Sequence, residues 1–223
     1  TYDDGLVFHL AEQGRLAFEL ARRTELQVYG LEPDAAKVES ARRALDTSGL
    51  HGSRVFIDHG DPKAIPYADY FANLIVSDTL LLTGQMPSSA DDVARLVKPC
   101  GGIVCLGSPP TAPASEAMKT KSIPASWLAG LGLGEAQVKQ DDAGSWALLT
   151  RGALPGAGSW THQYGEPGNT ASSTDELVKG ALGVLWYGDP GPTLMADRHS
   201  GAPAPLSVNG RLFIQRWDEL VAY

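Results

Sequence analysis

A short apolar run followed by a stretch of helical spacing recurs along the first hundred residues of this chain, and that alternation leaves few folds open. Residues 5–10 (G-L-V-F-H-L) lead into G-R-L-A-F-E-L-A-R-R, where Leu16, Ala17, Leu20 and Ala21 recur at helical spacing. Residues 26–31 (L-Q-V-Y-G-L) repeat the run, and Asp34 is placed to cap a helix that carries Val38, Ala41 and Leu45 and ends before Gly49. Further apolar runs follow at 54–58, 72–76 and 102–106, with a helix predicted over 89–97. Strands alternating with helices need crossover connections, and those build a parallel sheet buried on both faces. After a connector with Pro109, Pro110 and Pro113, a helix is predicted around 124–131. Gln137 to Gln140 and Ser145 to Thr150 then flank the turn sequence D-D-A-G. The expected fold class is therefore α/β: a Rossmann-like, doubly wound, mostly parallel sheet with a C-terminal antiparallel hairpin.

The pattern changes between Arg151 and Ser159, beyond which Gly, Pro, Trp and Tyr are dense and helical periodicity fades. Two domains are expected, 1–151 and 152–223, the second a small β-rich segment. Its strongest local signal is Asn209-Gly210 between alternating runs, the signature of a type I′ hairpin turn, with Leu206, Val208, Leu212 and Ile214 as the apolar positions. Trp160, His162 and Tyr164 stand among glycines and prolines, and read as packing a loop against a sheet rather than as a ligand platform.

Composition excludes several classes of function. With 18 basic against 26 acidic residues the formal charge of the 223-residue chain is -8, which disfavours a nucleic-acid binder. No apolar run approaches the roughly 18 residues needed to span a bilayer, and the acidic start T-Y-D-D is unlike a secretory signal. Cys100 and Cys105 match no zinc or thioredoxin spacing, and a disulfide between them stays open. His9 on an apolar run reads as a core histidine, while His51 and His59 lie in polar turns without metal-ligand spacing, so no metal site is expected.

Four segments, in order, carry a resemblance: L-Q-V-Y-G-L-E-P-D, the G-D-P after the third run, I-P-Y-A-D-Y-F-A-N-L-I-V-S-D, and V-A-R-L-V-K-P-C-G-G-I-V-C-L. From Gly5 to Arg151 the chain resembles the class I S-adenosylmethionine (SAM) dependent methyltransferases. The resemblance implies that Glu32 accepts from the ribose hydroxyls of SAM, that Asp61 lies by the adenine, and that Ser77-Asp78 faces the methyl donor and acceptor. Each carboxylate also has a purely structural reading. Acidic residues between a strand and a helix are favoured by capping and the helix dipole, and capping alone explains Asp34; Asp58 and Asp61 flank Gly60 in an ordinary turn sequence, and Asp78 also reads as simply ending a strand.

One segment departs from the family. Where such enzymes carry an acidic residue and then G-x-G-x-G, this chain has His9-Leu10-Ala11-Glu12-Gln13-Gly14-Arg15, in which Gly14 alone matches. Glycines there let the backbone approach the cofactor, so Ala11 and Gln13 add side chains where the methionine part would sit. Two functions are therefore expected. One is methyl transfer from SAM to an unidentified acceptor, with Gly14, Glu32 and Asp61 on the donor and Asp78 near the acceptor. The other is a catalytically inactive methyltransferase-like scaffold or binding module. A nicotinamide site is disfavoured, since no G-x-G-x-x-G turn is present.

The segment L-P-G-A-G-S-W-T-H-Q-Y-G-E-P-G-N-T-A (154–171) resembles the opening of a quinoprotein-like (PQQ-like) β-propeller, as found in planctomycete multidomain proteins that join such repeats to a methyltransferase-like domain. L-G-V-L-W-Y-G and P-L-S-V-N-G-R-L-F-I-Q-R-W-D-E-L-V-A-Y are similar to strands of a first blade. The resemblance implies an incomplete blade whose partner is further propeller sequence, and it points to an extracytoplasmic setting although the sequence shows no export signal.

Overall fold

The computed structural model describes residues 4–8, 14–77, 79–80, 85–108, 123–141, 144–181, 183 and 203–222. The chain divides into two compact units, Tyr2–Gly152 and Ala153–Tyr223.

The first unit is built on a seven-stranded sheet in the order β3-β2-β1-β4-β5-β7-β6. The strands are β1 (Asp4–Phe8), β2 (Gln27–Glu32), β3 (Val55–His59), β4 (Leu74–Ser77), β5 (Ile103–Ser108), β6 (Gln137–Asp141) and β7 (Gly144–Thr150). β1 to β5 are parallel, whereas β7 runs antiparallel to both β5 and β6. The expected turn residues Asp142 and Ala143, and the connector prolines Pro109, Pro110 and Pro113, lie outside the described residues.

Both faces of the sheet carry a core. On one, Val28, Val55 and Ile57 pack with Ala17 and Ala21 of α1 (Arg15–Arg23) and with Val38, Ala41 and Leu45 of α2 (Ala35–Thr47). On the other, Leu31, Ile75, Val104, Leu106 and Leu149 pack with Val93 and Leu96 of α3 (Ala90–Leu96) and with Leu131, which follows α4 (Ala125–Gly130). Val28 and Leu31 thus serve opposite cores, as odd spacing along a strand requires.

Local chemistry sets the element ends. Asp34 caps α2 by accepting from the N–H groups of Ala36 and Lys37, and Gly49 beyond the helix sits at φ 70°. Ser89 caps α3 by accepting from Asp92 N–H. The fourth strand begins two residues later than the apolar run suggests. Ala72 is engaged elsewhere: its N–H donates to Leu96 O and its carbonyl accepts from Lys98 N–H, each at 2.8 Å. Cys100 and Cys105 are free thiols, with Cys100 in the left-handed region at φ 60°, so no disulfide joins them.

In the second unit, β8 (Leu206–Val208), β9 (Arg211–Gln215) and β10 (Leu220–Ala222) form an antiparallel sheet in that order. Asn209 and Gly210 both have positive φ, 52° and 74°, as a type I′ turn requires. The two-residue loop sets Val208 opposite Arg211 and Leu206 opposite Phe213. Leu206, Val208 and Phe213 therefore share one face, while Leu212 and Ile214 lie on the other. Trp160 pairs with the outer edge of β8, its N–H donating to Ser207 O at 2.7 Å and its carbonyl accepting from Ser207 N–H at 2.8 Å. Tyr164 is about half exposed, so packing is a property of Trp160 more than of Tyr164.

Candidate functional site

The pairing register brings the carboxyl ends of the parallel strands level. Phe8 lies beside Leu31 on one side and Ser77 on the other, and Glu32 lies beside His59. Strand order reverses between β1 and β4, and in open α/β sheets such a reversal leaves a crevice at the carboxyl ends. Gly14, Glu32 and Asp61 each follow or end one of β1, β2 and β3, so the fold places all three on that edge. Asp78 and the residues of the first loop, His9 to Gln13, lie outside the described residues.

Gly14 precedes α1 at φ 81°, a left-handed conformation that an L side chain rarely adopts. A Cβ added there would stand 3.3 Å from Ala41 Cβ, so the chain turns into α1 close against α2. A glycine at this point answers both a backbone and a packing demand.

Glu32 is fully buried. Its Oε1 accepts from Asp34 N–H at 2.9 Å, which braces the corner between β2 and α2. That corner is also joined to the end of β3: Gly60 N–H donates to Glu32 O at 3.1 Å, and His59 Nε2 lies 3.0 Å from Pro33 O. A ribose hydroxyl can reach Glu32 only if the chain covering the carboxylate gives way.

Asp61 is exposed and accepts from Lys63 N–H through Oδ1 at 2.8 Å, while Ala64 N–H donates to Asp61 O at 2.9 Å. Asp58, by contrast, is committed. Its Oδ2 accepts from the Tyr67 hydroxyl at 2.8 Å. Burial first, and then the Asp58 carboxylate, push the Tyr67 phenol far above its ordinary pKa, so it stays protonated. The Tyr67 ring stacks on Phe71 at 4.8 Å, and both meet the Tyr29 ring edge-on.

Three residues that local sequence signals missed, Ser88, Arg95 and Trp127, brace the segment that follows β3. Ser88 donates its hydroxyl proton to Pro62 O at 2.6 Å, and Trp127 Nε1 donates to Ser88 O at 3.0 Å. Arg95 spreads its guanidinium over Ile65 O and Tyr67 O, each at 2.7 Å. Ser77 is buried and accepts from Thr79 N–H at 3.1 Å. Two adjacent serines ahead of a helix that needs one cap are the signal that points to Ser88.

A family model described as a methyltransferase domain matches residues 11–101. Among solved structures, a Methanococcus maripaludis protein assigned as an S-adenosyl-L-methionine-dependent methyltransferase superposes with a TM-score of 0.57 at 19% identity, over 70% of this chain and 80% of its own. The first unit has the methyltransferase fold. This methyltransferase-fold unit also matches, with lower scores, two ligand complexes. One is a SAM-dependent methyltransferase of Thiobacillus denitrificans bound to S-adenosyl-L-homocysteine, at 18% identity, TM-score 0.39, over 48% of this chain and 43% of that one. The other is the geranyl diphosphate C-methyltransferase of Streptomyces coelicolor A3(2), bound to Mg2+, geranyl diphosphate and S-adenosyl-L-homocysteine, at 17% identity, TM-score 0.41, over 48% of this chain and 38% of that one. This chain thus spans less than half of either of these two proteins. Among curated proteins nothing matches. No helix among the described residues is long and apolar enough to cross a membrane.

Proposed function

We propose that the methyltransferase-fold unit binds SAM in the crevice at the carboxyl ends of β1 to β4 and presents its methyl group to an unidentified nucleophilic acceptor. The observation that carries this reading is the meeting of Gly14, Glu32 and Asp61 on one edge of the sheet, from three separate strand ends. Their chemistry suits the group: the Glu32 carboxylate can accept from ribose hydroxyls once the chain over it gives way, exposed Asp61 can accept from the adenine amino group, and Gly14 lets the chain turn tightly beneath. When bound, SAM supplies an electrophilic methyl on a sulfonium. The protein's part is to position acceptor and donor in line, a task that needs no acid-base pair. Asp78 stands next after the β4 terminus and is proposed to face the acceptor.

Titration of the purified chain with SAM by calorimetry tests the proposal. Saturable binding is expected, weakened about tenfold or more by Glu32→Gln, which keeps an oxygen for Asp34 N–H but removes the charge. A second reading, a methyltransferase fold that holds no donor and serves as a scaffold or binding module, is favoured by the complete burial of Glu32. That reading predicts no heat at millimolar SAM.

For the second unit we propose a propeller blade completed by further propeller sequence. The antiparallel meander β8-β9-β10, with Trp160 paired to its outer edge, supports the proposal. So does the open groove of about 460 Å3 lined by Leu206, Val208, Phe213 and Leu220, since blades bury both faces. Joining further propeller sequence to the chain should then protect Leu220 and Trp217, which are 70% and 65% exposed here, from solvent.

A further inference from the structure

We propose that Ser88 is a positioning residue for Asp61: acting through the Pro62–Lys63 peptide, its hydroxyl fixes the direction in which the Asp61 carboxylate meets the donor's amino group. The inference rests on the donor-binding reading above.

Residues Asp61 to Ala64 form a four-residue turn closed by Ala64 N–H on Asp61 O. Turns of this length differ chiefly in the orientation of their central peptide, which the closing bond leaves unset. Here that peptide is clamped at both ends. Its carbonyl, Pro62 O, accepts from Ser88 Oγ at 2.6 Å, and its N–H, on Lys63, donates to Asp61 Oδ1 at 2.8 Å. A peptide unit is rigid and planar, so holding the carbonyl orients the N–H, and the N–H in turn selects where Oδ1 lies. The exposed side chain of Asp61 has no other hydrogen bond among the described contacts, so this relay sets its rotamer and directs the second oxygen, Oδ2.

Ser88 is free for the task. Ser89 already caps α3, accepting from Asp92 N–H at 3.1 Å and donating to Asp92 Oδ2 at 2.7 Å. Asp92 Oδ2 is also 3.5 Å from the Ser88 hydroxyl, but that hydroxyl has one proton and Pro62 O is nearer by 0.9 Å. The Trp127 indole holds Ser88 in place from α4 through its carbonyl. Trp127, Ser88 and the turn after β3, distant in sequence, are thus linked in one series of hydrogen bonds.

The test compares Ser88→Ala, Ser88→Thr and Asp61→Ala by SAM calorimetry, with amide exchange of Lys63 and the thermal midpoint measured on the ligand-free protein. Loss of one hydrogen bond acting on the site is expected to weaken SAM binding about three- to tenfold in Ser88→Ala. Ser88→Thr should restore affinity, and Lys63 N–H should exchange faster in Ser88→Ala than in Ser88→Thr or the unaltered chain. Combined with Asp61→Ala, the Ser88→Ala change should add nothing, because the two act as one unit. A purely structural role would lower the thermal midpoint and leave affinity and Lys63 exchange unchanged, and that result overturns the proposal. Additive losses in the double variant also overturn it. If the unaltered chain gives no saturable binding, the donor-binding reading fails and takes this inference with it. That case is distinct from one in which the unaltered chain and Ser88→Ala bind SAM equally.

Discussion

At residue scale, Gly14 and Tyr67 each answer to demands set by their immediate surroundings. At φ 81° with Ala41 close by, Gly14→Ala should cost about 1–2 kcal/mol, read as a lower urea midpoint at unchanged slope. Tyr67 has a pKa raised above that of an unfolded tyrosine, which is about 10. The stabilisation linked to its proton is therefore complete below that pH and is lost as the pH rises beyond it toward the folded value. Tyr67→Phe should weaken the protein by about 1 kcal/mol at neutral pH, since Asp58 loses a donor. The same variant should decline less steeply above pH ~10 than the unaltered chain, as urea unfolding across the alkaline range would reveal.

At the scale of elements, capping and clasping decide where structure starts. Asp34→Ala removes the acceptor for two N–H groups of α2 and should cost about 1 kcal/mol, measurable by thermal unfolding. In the second unit, Asp175 gathers the N–H groups of Gly158, Val178 and Leu177. Those bonds, the one from Gly158 foremost and the one from Val178 next, hold its carboxyl below the usual range. Because the folded pKa is depressed, the clasp is present above the unfolded value of about 3.9 and is released as pH falls through the folded one. The Gly158 and Val178 amide resonances should shift together in acid, and Asp175→Ala should show the released positions already at neutral pH. Asp34, Gly49 and Asn209-Gly210 were legible in the sequence because each acts on neighbours within a few residues. The alternation of apolar runs likewise revealed the α/β sheet, and with it which strand ends carry Glu32 and Asp61. Arg54 was not legible: it donates to Thr24 O at 2.7 Å and to Leu26 O at 2.9 Å, about thirty residues back, and a loop carbonyl leaves no mark on composition. The burial of Glu32 was hidden for the same reason, since it depends on where the chain folds over it.

At the scale of the whole molecule, apolar burial is unequally shared. Both core clusters lie within the first unit, whereas Ile214 is the one buried large apolar residue among the described residues of the second. Residues 1–152 expressed alone should therefore unfold cooperatively, and 153–223 alone should melt broadly or not at all, as calorimetry on the two fragments would show. The close approach of β7 to β5 adds an optical consequence. At Gly107 the Trp146 ring lies so near the backbone that an added Cβ would fall 2.0 Å from Cε3, while Trp217 in the second unit is 65% exposed. One face of the Trp146 indole is thus covered by backbone while Trp217 stands open to water, so a water-borne quencher should reach Trp217 more readily than Trp146.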